Sequence, residues 1–208
     1  MTSSARELLK WLAVILMTGD HVAKIIYGGY VPGISEAGRV AFPLFALVMA
    51  YNLAQPGADV AKSVRRLALW GVIAQPVHAL AFGYWLPLNI LLTFALCAAV
   101  VHAAGQRKWV ALAFAAAALP VFVDYQWAGV GFVLLAWLGF RTARPGLILG
   151  AFVPLCAFNG SLWALAAIPV AMGLSHAAWQ VPRGRWAFYG YYVAHLACIG
   201  LLAPILRP

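Results

Sequence analysis

Charged residues, and acidic residues above all, are scarce in this sequence of 208 residues. Only 9% of the residues are charged, and five Asp and Glu stand against fourteen Lys and Arg. Soluble proteins carry about 25% charged residues. Since 65% of the residues are hydrophobic and no polar segment is long enough to form a separate soluble domain, the composition predicts one integral membrane domain over residues 1–208.

Cysteine is also rare, and the common catalytic motifs are missing. Cys97, Cys156 and Cys198 are isolated within apolar runs, which predicts neither a disulfide framework nor a zinc site. No two histidines lie three or four positions apart, so no metal site is expected. The sequence contains no zinc-protease motif, nucleophile elbow, phosphate-binding loop or dinucleotide fingerprint.

The net charge of +9 would suggest nucleic-acid binding in a soluble protein. A basic stripe with interleaved aromatic residues is absent, however, so we expect no nucleic-acid partner. The Lys and Arg residues fall instead in short clusters between apolar runs, as in loops held on the cytoplasmic side of a membrane.

Nine apolar runs are long enough to be helices in a compact membrane bundle. Their approximate ranges are 8–27, 37–54, 67–82, 86–102, 109–123, 127–140, 147–158, 161–174 and 187–205. Backbone polar groups in lipid must be satisfied internally, which favours helices. The sequence therefore predicts an all-α polytopic bundle of about nine transmembrane helices. The seventh and eighth runs are short, which leaves eight or ten crossings open.

Basic residues occur at the start of the chain and in every second loop thereafter. They are Arg6, Lys10, Lys62, Arg65, Arg66, Arg107, Lys108, Arg141, Arg144, Arg183 and Arg185. The alternate loops, which contain "GYWLP", "DYQWAG" and "NGSLW", have no Lys or Arg. The positive-inside rule then places the N-terminus in the cytoplasm.

The first predicted helix carries Asp20, His21 and Lys24 about 18–20 Å or more from its cytoplasmic start. Such groups within a membrane usually face a partner or a cavity. One interpretation is a structural Asp20–Lys24 ion pair beside a packed histidine. The other makes His21 a general base tuned by a carboxylate. Adjacent residues point about 100° apart, so Asp20 is expected to pair with Lys24 or Arg39 instead of His21.

The second predicted helix places Arg39, Phe42 and Pro43 on one face. Pro43 cannot donate a hydrogen bond to the carbonyl of Arg39, which predicts a kink. A kink beside an arginine could shape a cavity. The alternative is an ordinary proline kink with an arginine that extends to the interface.

Further polar residues recur at similar depth, and each alone is more typical of contacts between helices than of chemistry. Asn89 and Thr93 share a face of the fourth helix, and Tyr192 and His195 share a face of the ninth. We retain Asn89 and His195 as candidates. Weaker candidates are Gln75, His78, Asp124 and Tyr125.

These segments together resemble the TraX family of bacterial conjugation proteins over nearly the whole chain. The family pattern M-x-x-D-H and G-R-x-x-F-P-x-F corresponds to Met17, Asp20, His21, Gly38, Arg39, Phe42, Pro43 and Phe45. Weaker matches are L-N-x-x-x-T, with Asn89 and Thr93, and the final Y-x-x-H-L, with Tyr192 and His195. One departure is Ala194, where the family commonly has proline.

The resemblance implies a multipass acetyltransferase of the bacterial inner membrane that uses acetyl-CoA to acetylate the N-terminal amine of conjugative pilin. It implies His21 as general base with Asp20 beside it, while Arg39, Lys24 or Asn89 could steady the oxyanion or position Asp20. His195 and Tyr192 would also contact substrate or cofactor.

The basic cluster of Lys62, Arg65 and Arg66 could attract the phosphates of CoA at the cytoplasmic side. Other partners would be membrane lipids, and the oligomeric state stays open.

Three other functions remain compatible with the same residues. The first is an acyltransferase for an envelope glycan or lipid, which would use the same thioester chemistry. The second is a proton-coupled transporter, since buried Asp, His and Arg also serve proton relays. The third is a non-enzymatic assembly factor for the conjugation machinery.

Overall fold

A computed structural model describes residues 1–177, 179, 184 and 186–206. The predicted loop residues Arg183 and Arg185 lie outside the described residues. The α-helices are α1 (Ser3–Ile25), α2 (Ile34–Gly38), α3 (Ala41–Ala54), α4 (Val60–Phe82), α5 (Ile90–Gly105), α6 (Trp109–Ala117), α7 (Gln126–Thr142), α8 (Pro145–Gly150), α9 (Phe152–Asn159), α10 (Ala167–Leu174) and α11 (Ala187–Leu206). Short 3₁₀ helices cover Leu119–Phe122 and Trp163–Ala166.

The described part of the chain is all-helical, as predicted, and it contains no β-strand. Each of the nine apolar runs coincides with one helix or with two consecutive helical pieces. Two segments, Ile34–Ala54 and Ala187–Leu206, are long and apolar enough to cross a membrane. Four further apolar helical segments are shorter, at 10–17 residues. The number of membrane crossings therefore stays a prediction.

Side-chain caps determine where several helices begin. Thr2 accepts a hydrogen bond from the backbone N–H of Ala5 at the start of α1, and Asp59 does the same for Lys62 at the start of α4. These bonds satisfy amides that have no partner within the helix. At the other end of α4, Gly83 has φ of 81°, which terminates the helix without strain.

At the kink predicted near Pro43, a two-residue turn, Arg39 and Val40, separates α2 from α3. Both residues keep right-handed helical φ and ψ, so Ile34–Ala54 continues as one apolar segment, and Pro43 is the third residue of α3. A proline is tolerated in the first turn because that position needs no intrahelical N–H bond.

Six helices pack against one another in a closed ring, in the order α1, α3, α7, α5, α4 and α11, and α11 returns to α1. Glycines permit the closest contacts. A Cβ built at Gly71 of α4 would lie 2.7 Å from Leu92 Cδ2 of α5, and one built at Gly200 of α11 would lie 3.1 Å from Ala81 Cα of α4. Small residues at such contacts let helix backbones approach closely.

Candidate functional site

A cavity of about 380 Å³ lies within the ring of six helices. Along α1 it is lined from Glu7 and Lys10 to Asp20, His21 and Lys24. At a rise of about 1.5 Å per residue, Glu7 and Lys24 are about 26 Å apart along the helix. The volume falls in the range of about 300–1,000 Å³ that is usual for ligand pockets. The cavity is therefore long and narrow, and it joins two polar ends.

One end, near the start of α1, is basic. Arg66 and Ser63 of α4 line it. The Arg66 guanidinium lies 5.6 Å from the centroid of the Tyr189 ring, and its Nε has no hydrogen-bond partner. Lys62 and Arg65 are exposed and do not line the cavity. Of the three basic residues that were predicted to attract CoA, only Arg66 lines this end of the cavity.

A second charged pair stands at the same end. Lys10 Nζ lies 2.7 Å from Glu7 Oε1, and the same ammonium lies 4.4 Å from the centroid of the Phe188 ring. Lys10 therefore reaches the cavity wall while its charge is compensated by a carboxylate.

The middle of the cavity is apolar and separates the two ends. It is lined by Val14, Met17, Phe45, Val48, Met49 and Phe94. An apolar wall of this kind excludes water and strengthens electrostatic interactions at the polar ends.

At the other end, Asp20 is paired with Lys24, and the Oδ2–Nζ distance is 2.6 Å. The alternative partner, Arg39, donates from Nη1 to Asn159 Oδ1 at 3.3 Å and does not line the cavity. Gly38 of α2 packs directly on the acid, because a Cβ built there would lie 2.5 Å from the Cβ of Asp20. The open choice between Lys24 and Arg39 is thereby resolved in favour of Lys24.

His21 contacts His195 of α11. Its Nδ1 lies 2.8 Å from His195 Nε2, and the two ring planes are nearly parallel, at 7°, with centroids 5.1 Å apart. The Nδ1 of His195 lies 2.9 Å from the carbonyl oxygen of Tyr191. His21 lines the cavity, whereas His195 is buried behind it. The edge of the Phe82 ring contacts the His21 ring at 5.4 Å.

Three more polar residues line the same end: His78, Tyr84 and Asp124. His78 is buried, and its Nδ1 has no hydrogen-bond partner. Asp124 Oδ1 accepts a hydrogen bond from the backbone N–H of Tyr125 at 2.9 Å. His78 and Asp124 were weaker candidates from the sequence, and Tyr84 was not among the candidates.

Backbone pairing between two distant loops explains this grouping. The N–H of Leu88 donates to the Phe122 carbonyl at 2.7 Å, and the N–H of Asp124 donates to the Leu88 carbonyl at 3.0 Å. Nothing in a single sequence indicates that these two loops meet.

Asn89 does not line the cavity, contrary to its expected role with substrate. Its Nδ2 donates to the Gly71 carbonyl and to Gln75 Oε1, both at 2.8 Å, and its Oδ1 accepts from the N–H of Leu91 at 3.0 Å. It is fully buried as the cap of α5. Thr93 donates to the Asp124 carbonyl at 3.0 Å and so supports the polar end from behind.

The remaining predicted residues are divided between the cavity and the core. Tyr192 and Phe42 line the cavity. Phe42 stacks on Tyr125 with ring centroids 4.0 Å apart. Pro43 is buried in the core and is not part of the lining.

Among the described residues, no group of three or more His, Cys, Asp or Glu side chains is arranged to hold a metal ion.

The family model described as TraX protein matches residues 5–203. Protein TraX of Escherichia coli is 31% identical over 217 aligned residues, which cover 95% of this chain and 87% of that protein. Protein TraX of Escherichia coli strain K12 is 28% identical over 216 residues, with the same coverage. An uncharacterized protein of Rickettsia prowazekii is 34% identical over 91 residues, covering 42% of this chain and 33% of that protein.

No solved structure shows a significant match. The family match and the two helices that could cross a membrane indicate a membrane-associated protein. By the extent of the family match, the chain belongs to the TraX protein family.

Proposed function

We propose that this protein is a multipass acetyltransferase of the bacterial inner membrane, which moves the acetyl group of acetyl-CoA to the N-terminal amine of a pilin subunit. The observation that carries the proposal is the cavity that joins the basic end at Arg66 to His21. A thioester donor with phosphates at one end and a reactive carbonyl at the other fits a cavity that is basic at one end and has a histidine at the other.

The apolar exterior supports a membrane location. Large side chains are widely exposed: Val110 by 86%, Met172 by 69%, Leu201 by 67% and Ile15 by 66%. Exposed apolar area costs roughly 25 cal/mol per Å² in water, and a continuous apolar exterior is removed from water in a lipid bilayer. With the N-terminus in the cytoplasm, the basic end of the cavity faces the cytoplasm, where acetyl-CoA is made.

The donor would enter from the basic end. Arg66 would bind the CoA phosphates, because a guanidinium pairs readily with phosphate oxygens. The apolar middle of the cavity would hold the pantetheine arm. This arrangement brings the thioester to His21, about 21 Å along α1 from the level of Glu7.

The acceptor would enter from the opposite side. An α-amine has a pKa of about 8 and arrives mostly as an ammonium ion. The Asp124 carboxylate lines the cavity end near His21 and would attract that cation. Asp20, which is already paired with Lys24, is less available for this role.

The chemistry transfers one acetyl group and leaves the enzyme unchanged. After the ammonium has released one proton to water, the amine nitrogen attacks the thioester carbonyl carbon to form a C–N bond. His21 removes the second proton from nitrogen, the C–S bond breaks, and the thiolate leaves and receives a proton from His21. The products are an amide and free CoA. Much of the rate enhancement would come from holding amine and thioester together in a dry site.

A direct test uses the purified protein in lipid bilayers with acetyl-CoA and mature pilin or its N-terminal peptide. The wild-type protein should add the mass of one acetyl group to the peptide. His21→Ala should reduce the rate about 100-fold or more, since general base catalysis contributes about 10²–10⁴-fold. The matched control is His102→Ala, because His102 lies in the last turn of α5 and does not line the cavity. Wild-type-like acetylation by His21→Ala would remove His21 from the catalytic role.

The length of the cavity also favours a second candidate, a transporter for a small solute. Uptake into liposomes that contain the protein but no acetyl-CoA would support transport, while acetyl transfer without uptake would support the enzyme.

A further inference from the structure

We propose that His195 is a positioning residue, which fixes the tautomer and orientation of His21 so that His21 Nε2 offers a free electron pair. The catalytic consequence of this inference rests on the proposed acetyltransferase function. The hydrogen-bond arrangement itself does not, and it can be measured separately.

The backbone carbonyl of Tyr191 can only accept a hydrogen bond. His195 Nδ1 lies 2.9 Å from this oxygen, so Nδ1 must carry the proton. A neutral imidazole has only one N–H, and His195 Nε2 is therefore an acceptor.

The contact between the two histidines then determines the tautomer of His21. His195 Nε2 lies 2.8 Å from His21 Nδ1, so His21 Nδ1 must donate to it. In a neutral His21 this leaves Nε2 without a proton. When both histidines are uncharged, only one arrangement of protons satisfies both hydrogen bonds. In that arrangement the unprotonated Nε2 of His21 can act as a base.

The surrounding contacts hold this arrangement in place. The Thr18 hydroxyl donates to the Val14 carbonyl at 2.8 Å, which leaves its oxygen to accept from the Tyr191 hydroxyl, also at 2.8 Å. This bond ties α11 to α1 one turn away from the histidine pair. The Tyr191 ring also stacks on His195, with centroids 5.1 Å apart.

The hydrogen bond between His21 Nδ1 and His195 Nε2 would also help during the reaction. When His21 Nε2 takes the proton from the amine, His21 becomes an imidazolium, and its Nδ1–H bond to His195 Nε2 becomes charge-assisted. The bond is thus stronger in the protonated state than in the resting state. Return of that proton to the thiolate restores the neutral pair.

Two substitutions at His195 separate a positioning role from simple packing. His195→Phe keeps an aromatic ring next to His21 and removes the acceptor. His195→Gln replaces the ring with an amide whose terminal oxygen can accept from His21 Nδ1–H. The matched control is His102→Phe, the same change at a histidine outside the cavity lining.

The tautomers can be read by solid-state NMR on protein with ¹⁵N- and ¹³C-labelled histidine in lipid bilayers. The chain contains five histidines, and the His21 signals are those absent from a His21→Gln sample. We expect His21 to be protonated at Nδ1 and not at Nε2 in the wild type, in His195→Gln and in His102→Phe. In His195→Phe we expect the Nε2-protonated form to appear.

An Nε2-protonated His21 in the wild type would overturn the inference. So would an unchanged Nδ1-protonated His21 in His195→Phe, since the tautomer would then not depend on His195. If His195→Phe fails to fold, an Nε2-protonated His21 in the folded His195→Gln protein would overturn the inference, and an Nδ1-protonated one would support it.

Kinetics distinguish failure of this inference from failure of the proposed function. If the enzyme proposal holds, His195→Phe should lower kcat by about 10-fold or more while the KM for acetyl-CoA stays unchanged, and His195→Gln should restore part of the loss. If the wild type shows the expected tautomer but transfers no acetyl group to any amine, the proposed function fails and the hydrogen-bond inference stands. If transfer requires His21 but His195→Phe matches the wild type in kcat and in tautomer, only this inference fails.

Discussion

At the scale of single residues, Gly38 shows how closely the site is packed. A Cβ at this position would lie 2.5 Å from the Asp20 Cβ and 2.8 Å from its Cγ. Real Cβ atoms do not approach other carbons so closely, so only glycine lets α2 lie on α1 at this point. The Asp20–Lys24 pair therefore depends on a residue that carries no functional group.

Gly38→Ala should shift either α2 or the Asp20 side chain. We expect a loss of about 1–3 kcal/mol in stability, as is usual for overpacking, together with slower acetyl transfer. The melting temperature in detergent and the transfer rate measure the two effects. The control is Gly131→Ala in α7, where a Cβ has nothing within 4 Å. Equal melting temperatures for the two variants would contradict the close contact between Gly38 and Asp20.

The sequence predicted some residue contacts and missed others, for a physical reason. Asp20 and Lys24 are four positions apart on one helix, so local geometry alone brings them together. His21 and His195 are 174 positions apart, and only the packing of α1 against α11 makes them neighbours. Asn89 was a candidate because it is polar within an apolar run, but its side chain caps α5 and bonds to α4.

At the scale of helices, the packing of α11 on α4 holds His195 in place. Gly200 is the point of closest approach between the two helices, where a Cβ would lie 3.1 Å from Ala81 Cα. Because this neighbour is backbone, it cannot move aside as a flexible side chain would.

Gly200→Val should therefore force α11 away from α4. We expect a loss of about 1–3 kcal/mol in stability, seen as a lower midpoint of thermal unfolding. Gly190→Val on the same helix is the control, since a Cβ at Gly190 has nothing within 4 Å. A larger loss for Gly190→Val than for Gly200→Val would contradict the described packing of α11.

Hydrophobic runs predicted where the helices lie, but not all of their interruptions. The run at 147–158 is two helices that meet at Ala151, and the run at 161–174 begins with a 3₁₀ helix at Trp163. A kink at the turn between α2 and α3 was predicted, because Pro43 has no N–H to donate to the Arg39 carbonyl. Apolar composition alone does not indicate where a helix is interrupted, so the other interruptions were not predicted.

At the scale of the whole molecule, the ring order α1, α3, α7, α5, α4 and α11 does not follow the chain. The cavity exists only because these helices close around it, so its lining could not be listed from sequence. The sequence did, however, indicate which polar residues lie at each of the two ends of the cavity. Basic residues cluster at one side of the predicted membrane, and Asp20 and His21 lie towards the other.

The predicted orientation can be tested with single cysteines in a variant whose three native cysteines are replaced by alanine. Trp85→Cys lies in an exposed loop without basic residues, and Gln106→Cys lies in an exposed loop next to Arg107 and Lys108. A membrane-impermeant maleimide added to cells with a permeable outer membrane should label Trp85→Cys only. Gln106→Cys should react after the inner membrane is opened. The reverse pattern would contradict an N-terminus in the cytoplasm.

The central claim is that one cavity joins the basic end at Arg66 to His21, and that CoA occupies it. A structure of the protein in lipid determined by electron cryo-microscopy with bound CoA tests this most directly. The account predicts phosphate density beside Arg66 and the CoA sulfur next to His21 Nε2, with the His21 ring bonded to His195. CoA bound elsewhere on the protein, or a His21 ring that faces lipid, would contradict it.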